Sequence, residues 1–231
     1  PEIRPYLGNL AYHSYWTDND VRNKINFGDW LGKYITDIPI EMSEWCHLPC
    51  TSPIDDISGA LLQARVMAND LNFTNVDSWT AWVGVNGIGL DGEGREYSDG
   101  LLVATDDNIT GIKIPLRYYA VAHYTKFIPV GSVKVATEKN IYDMLWEKDW
   151  AGNITGANFV TNVVSYLTPD GKVVTVITNE GEDRELKVRV DRKNMTVYTT
   201  TQEKQMQETY SGKKTEITLP VNSITTIVFD N

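Results

Sequence analysis

The chain has 231 residues, 42% apolar and 10% aromatic, and 21 basic against 31 acidic side chains give it a formal charge of −10. That length holds one large domain or two small ones with a proper core, and the composition excludes a disordered or collagen-like chain. The negative balance argues against nucleic acid, which needs a basic face. The uncharged run 78–90, broken by Gly84, Asn86, Gly87 and Gly89, is too short for a membrane span of about 20 apolar residues.

In chain order, the first part alternates strand and helix patterns. Residues 7–15 read as a buried strand, and Asp18-Asn19-Asp20 can cap the helix that follows, whose imperfect apolar stripe is Val21, Ile25, Trp30, Leu31 and Tyr34. Residues 38–45 form the second expected strand. Ser52-Pro53 starts a second helix, with Asp55 and Asp56 in its first turn, and apolar groups from Ile57 to Leu71 fill much of it. Residues 78–85 read as a third strand, residues 86–111 as a long Gly-rich loop, and residues 115–127 as a third helix. Strand–helix alternation implies parallel pairing with right-handed crossovers. Strand starts near residues 7, 38 and 78 are 31 and 40 apart, close to the spacing of an eight-fold barrel, but three parallel strands cannot close one.

From residue 132 the sequence turns Val- and Thr-rich with period-2 alternation. Expected strands are 132–136, 157–167, 173–178, 185–190, 195–200, 215–219 and 223–229, separated by turn signals such as Pro169-Asp170-Gly171 and Ser211-Gly212. Several short strands at this spacing suggest a sandwich. The expected organisation is α/β plus all-β: residues 1–131 as three C-terminal βα units of a (β/α)8 TIM barrel, and residues 132–231 as an antiparallel β-sandwich side domain.

Seven Trp and 12 Tyr exceed what a core needs and suit platforms for pyranose rings. Functional groups of such a barrel lie at the C-terminal ends of its strands. The first strand ends His13-Ser14-Tyr15-Trp16, suited to hydrogen bonding and stacking with a sugar, although a packing histidine reads as well. The second ends Glu41-Met42-Ser43-Glu44-Trp45. Alternation puts Glu44 on the side of Ile38, Ile40 and Met42, and a carboxylate there is costly to bury, so Glu44 is a candidate nucleophile or general acid/base, against the alternative of a salt-bridged structural glutamate. Trp79 and Trp82, separated by an odd number, point to opposite faces of the third strand. The polar loop 90–97, with Arg95, could recognise substrate; its acids miss the EF-hand spacing. Cys46-His47-Leu48-Pro49-Cys50 lacks the second half of a zinc site and reads as a small loop disulfide or two thiols. No metal and no cofactor are expected, and Walker, G-x-S-x-G, H-E-x-x-H and dinucleotide motifs are missing. Four Asn-x-Thr sequons, at Asn72, Asn108, Asn153 and Asn194, are acceptors only in a chain secreted by a eukaryote.

Taken together, His13-x-Tyr15, Ser43-Glu44-Trp45, Trp79-x-x-Trp82, the junction Lys126-Phe127-Ile128-Pro129-Val130-Gly131 and the ending Leu219-Pro220-Val221-Asn222-Ser223-Ile224-Thr225-Thr226 resemble the C-terminal half of glycoside hydrolase family 30. The resemblance implies a retaining β-glycosidase joining a barrel to a side sandwich. It makes Glu44 the nucleophile at the end of the seventh barrel strand and His13 and Tyr15 substrate-side residues at the end of the sixth. Trp82 becomes the sugar platform of the eighth, with Trp16, Trp45 and Arg95 as further binding residues. The family's general acid/base belongs to an Asn-Glu pair at the end of the fourth strand, which no position here matches. Retaining hydrolysis needs two carboxyl groups about 5–5.5 Å apart, so the isolated chain is expected to be inactive. Its partners are then a β-linked oligo- or polysaccharide and the missing N-terminal half of the barrel, and Pro1 reads as a break in the barrel. The substrate stays open among galactans, glucans, xylans and glucosylceramide, with the motifs leaning towards galactanase-like members. The expected location is secreted, periplasmic or at the cell surface. A non-catalytic carbohydrate-binding protein using the same aromatics is the alternative, as is a sandwich module capped by a barrel remnant.

Overall fold

A computed structural model describes residues 3–47, 54, 56–90, 92–106, 108–140, 142–181, 183–189 and 194–230. Three strands, β1 (Leu10–His13), β2 (Ile40–Glu44) and β3 (Ser78–Trp79), form a parallel sheet in that order. Between them run α1 (Val21–Tyr34) and α2 (Ile57–Asn69). Asp20 caps α1 by accepting from the Arg22 N–H at 2.9 Å, and Asp56 caps α2 by accepting from that of Ser58 at 2.8 Å. The expected helix start at Ser52-Pro53, with Asp55, lies outside the described residues.

The buried stripe of α1 is Val21, Lys24, Gly28 and Leu31, whereas Trp30 and Tyr34 of the expected stripe are half exposed. The expectation failed because two of the four inward positions are a lysine and a glycine. Gly28 lets the helix press on the π-helical turn Asp70–Thr74 that continues α2, since a Cβ there would stand 1.9 Å from the Phe73 carbonyl oxygen. Helix α2 is buried nearly all round. Val66 joins Leu31, Ile40, Met42 and Trp45 on the parallel sheet, while Ala60, Leu61, Ala64 and Met67 pack with Val164, Val176 and Ile224 of a second sheet. A helix between two sheets has no polar face to show.

The expected third strand stops after two residues. The rest of 78–85 leaves the sheet, and the expected Gly-rich loop contains short strands: β4 (Val85–Gly87), β5 (Gly89–Leu90), β6 (Glu96–Tyr97), β7 (Leu102–Ala104) and β8 (Ile112–Lys113). They pair as β4-β7-β8 and β5-β6. Helix α3 (Leu116–Thr125) follows and docks through His123, which is wholly buried. Thr226 Oγ1 donates to the His123 carbonyl at 3.2 Å, which leaves Nδ1–H to donate to Thr226 Oγ1 at 2.7 Å. Thr200 Oγ1 accepts from the Met206 N–H at 3.0 Å and donates to Nε2 at 2.8 Å. The network thus assigns a neutral imidazole protonated on Nδ1.

The remaining strands are β9 (Val133–Val135), β10 (Met144–Lys148), β11 (Ile154–Phe159), β12 (Thr161–Leu167), β13 (Val173–Asn179), β14 (Arg184–Lys187), β15 (Met195–Thr200), β16 (Gln207–Gly212), β17 (Glu216–Leu219) and β18 (Ser223–Phe229). Six make an antiparallel sheet in the order β16-β15-β18-β13-β12-β9, with β14-β17 and β10-β11 as separate pairs. One face, with Val164, Val176 and Ile224, receives α2 and α3; the other, with Ile177, Val197, Ile227 and Phe229, packs with Ile217 and Leu219 of β17. The expected strand 157–167 is two strands that change partner at Val160. Strands β10 and β16 were not expected, β16 because its exposed face is polar. Strand dominates the second part and helix the first, and among the described residues the three parallel strands β1–β3 form an open sheet.

Candidate functional site

The geometry of the site begins with one extra residue. Leu10, Ala11 and Tyr12 pair with Ile40, Glu41 and Met42, but His13 pairs with Glu44. On the other edge, Thr80 N–H donates to the Met42 carbonyl and Trp82 N–H to that of Trp45, two residues against three. Strand β2 therefore carries a bulge at Ser43. The bulge overturns the expectation that Glu44 shares the side of Ile40 and Met42. Trp45, 1% exposed, takes that side, while Glu44 turns out beside His13.

One neighbour holds the Glu44 carboxylate and a second stands near it. Tyr15 Oη donates to Oε1 at 3.1 Å, and His13 Nε2 stands 3.7 Å from Oε2. The Cys46 N–H donates to Tyr15 Oη at 3.2 Å, leaving the phenol proton for Glu44. Burial, then the Cys46 thiol and Glu44, push the Tyr15 phenol well above its usual value, so it stays a donor. Trp16 stands edge-on to Tyr15 at 6.2 Å and is 84% exposed; Trp82, tied by its backbone to Trp45, is 52% exposed. His13, Tyr15, Trp16, Glu44 and the start of the Trp82 loop thus meet at the C-terminal edge of the sheet.

Two expected site residues are not part of this group. Trp45 is in the core, packed on Trp79 and donating through Nε1 to Asp18 at 2.8 Å, so its ring has no open face. Arg95 is at the tip of the β5-β6 hairpin, ion-paired with Glu93 at 3.4 Å, and Glu44 takes its contacts from Tyr15 and His13 instead. Trp79 and Trp82 do differ in exposure, but the strand ends at Trp79, so parity is not the cause. A Cys46–Cys50 pairing lies outside the described residues. Burial, then the Arg117 guanidinium, hold the His47 imidazole below its usual value, with Asp18 and Asp99 pulling the other way. Among the described residues no group of three or more His, Cys, Asp or Glu could hold a metal ion.

Sequence reasoning missed the polar knot that supports the site. Lys24 and Asp70 are both fully buried and ion-paired. Asp70 also accepts from Ser14 Oγ at 2.7 Å, Tyr12 Oη at 2.9 Å and Trp79 Nε1 at 2.9 Å, and Lys24 Nζ donates to Ser14 Oγ at 2.7 Å. One carboxylate thereby ties together β1, α1 and β3. Ser14 lies between His13 and Tyr15, and its N–H donates to the Glu44 carbonyl at 3.3 Å. A lysine on an otherwise inward helix stripe was the available signal.

A helix-backed parallel sheet thus carries a Glu–His–Tyr cluster and exposed tryptophans at its C-terminal edge and is joined to an antiparallel sandwich. Residues 154–227 match the family model "Glycosyl hydrolase family 30 beta sandwich domain", and the chain is similar to the C-terminal portion of family 30 proteins. Similar solved structures include a conserved exported protein from Bacteroides fragilis (22% identity, 96% of this chain and 46% of that chain, TM-score 0.69). Others are a GH30 endoxylanase from Clostridium papyrosolvens (18%, 98% and 50%, 0.70) and the catalytic domain of a GH30 xylanase C from Talaromyces cellulolyticus (13%, 100% and 47%, 0.68). These likenesses concern the fold, and the chain spans about half the length of each. No curated protein matches it by sequence. No described helix is long and apolar enough to cross a membrane.

Proposed function

We propose that this chain is the C-terminal portion of a retaining glycoside hydrolase acting on a β-linked glycan by double displacement. Glu44 is the nucleophile, and the acid/base glutamate belongs to an N-terminal half of the barrel. Residues 1–131 supply three of eight βα units and residues 132–231 the side sandwich. The observation that carries the reading is Glu44 itself: a carboxylate turned out by a bulge at a strand's C-terminal end, its two oxygens addressed by Tyr15 and His13. A nucleophile must be ionised and aimed: the Tyr15 phenol holds Oε1, while His13, 3.7 Å from Oε2, is too far to hydrogen-bond it and leaves that oxygen for the anomeric carbon. The uncovered face of the sheet, with Ala11, His13 and Ser78 exposed, would line the barrel interior once the remaining strands paired with the open edges β1 and β3. Trp82 and Trp16 are the sugar platforms. An extracellular or periplasmic location suits a polymeric glycan.

A second reading, a glycan-binding module, is favoured by one observation: among the described residues Glu44 is paired with Tyr15 and His13 and with no second carboxyl group. The experiment that separates them compares this chain with a version extended N-terminally through five further βα units, on β-1,6-galactan, β-1,6-glucan and xylan. The enzyme reading expects turnover only by the extended protein, a loss of at least ~10³-fold in Glu44→Gln, and rescue of Glu44→Ala by azide with inverted anomeric configuration. Binding without turnover by the extended protein would establish the module instead.

A further inference from the structure

Away from Glu44, where α3 ends against the sandwich, a cleft of about 400 Å³ opens between two turns. Its apolar wall is Phe127, Pro129, Pro169 and Val228, and two lysines, Lys126 and Lys172, stand on its rim. Both turns are braced. Ser132 donates to the Pro129 carbonyl through its N–H at 3.1 Å and its hydroxyl at 2.6 Å. In the second turn Thr168 Oγ1 accepts from the Lys172 N–H at 2.9 Å and the Thr168 carbonyl from the Gly171 N–H at 2.9 Å. The turns touch at Gly131, where a Cβ would meet Pro169 Cγ at 3.5 Å, and Gly131 and Gly171 have φ of 88° and 83°. The cleft is therefore built before any ligand arrives.

Its charge is local and opposite to that of the molecule. In a chain of net charge −10, two ammonium groups face the cleft against one carboxylate, Asp170, which already accepts from the Thr168 hydroxyl and stands 3.4 Å from Lys172 Nζ. Lys126 Nζ lies over the rings of Phe127 and Tyr198, 5.3 and 5.4 Å from their centroids, and among the described residues it has no ion-pair partner. A largely apolar wall suits the C–H face of a pyranose, and the two cations suit a carboxylate. We infer that this cleft is a second, non-catalytic saccharide site, selective for sugars that carry a carboxylate. Its volume takes one or two pyranose rings, within the ~300–1,000 Å³ range of small-ligand pockets.

The test uses this chain with cellobiouronic acid and cellobiose, which differ at one carboxylate, and follows the amides of Gly131, Gly171 and Lys172 by NMR titration. The expected result is at least fivefold tighter binding of the acid at low salt and loss of that preference at 0.5 M NaCl. Lys126→Gln with Lys172→Gln should abolish the preference, while Trp82→Ala leaves it intact, which separates this site from the proposed catalytic cleft. Both lysines are on the surface, so the double variant should keep the wild-type fold, checked by its unperturbed core resonances. Equal binding of both sugars, or undiminished preference in the double variant, overturns the inference. Equal shifts with tetraglutamate overturn it too, in favour of an acidic-peptide surface.

Discussion

Replacing Asp70 with asparagine leaves Lys24 fully buried beside a neutral amide. Lys24 keeps Ser14 Oγ as a partner, but its counter-charge is gone, and the new amide points a donor where Trp79 Nε1–H or Tyr12 Oη–H now donates. Breaking a buried pair by removing one partner costs about 3–5 kcal/mol, and an orphaned buried donor about 1–3 kcal/mol. A net loss of about 4 kcal/mol corresponds to roughly 8–16 °C in melting temperature for a chain of this size. Lys24→Met should cost less, about 3 kcal/mol at the low end of that range, because Asp70 keeps its neutral donors. The double variant should fall short of the sum by at least about 1 kcal/mol, since each single change strands the other's charge. Urea unfolding followed by tryptophan fluorescence measures all four proteins. An Asp70→Asn protein within 1 kcal/mol of wild type, or strictly additive changes, would refute this account of how the strand ends are held.

Three further expectations concern other elements. His123 is held neutral by burial, with its folded value down at about 3 against 6.5 unfolded. The unfolded chain therefore binds the extra proton between those values: this contribution to stability is complete above about pH 6.5 and is lost as pH falls towards 3. Urea midpoints at pH 7.5, 5.5 and 4.5 should drop less steeply in His123→Gln than in wild type; parallel profiles would sink the assignment. Gly28→Ala should destabilise by about 1–3 kcal/mol because its Cβ would overlap the Phe73 carbonyl, whereas Gly32→Ala, with nothing within 4 Å, should stabilise α1 by up to about 1 kcal/mol; thermal melts of the two should move in opposite directions. Trp16, exposed and at φ 63°, should be replaceable by glycine within about 1 kcal/mol. The same change should weaken glycan binding by the extended protein in isothermal titration, and unchanged affinity would remove Trp16 from the site.

Local signals carried much of the architecture. The Asp-rich caps, the apolar run of α2, the Pro before α3 and the period-2 strands β13, β15 and β18 act over a few residues, so they were legible one element at a time. So were the residues that the site brings together, His13, Tyr15, Trp16, Glu44 and Trp82, because strand ends are where such groups collect. What misled was neighbour-dependent. The bulge at Ser43 exists only relative to β1 and the chain after β3, yet it decides that Glu44 faces out and Trp45 in. Likewise Trp45 looks like any tryptophan beside a candidate acid until Asp18 and Trp79 close around it.

By itself, then, the sequence determined the order and type of the main elements and the inventory of groups at the strand ends, since propensity, capping and periodicity are properties of contiguous residues. Only the tertiary structure decided which way those groups point and what supports them. Lys24, Ser14 and Asp70 are distant or unremarkable in the chain, and their partnership is created by α1 pressing through Gly28 onto the turn after α2, where burial turns three ordinary polar residues into the knot beneath the site.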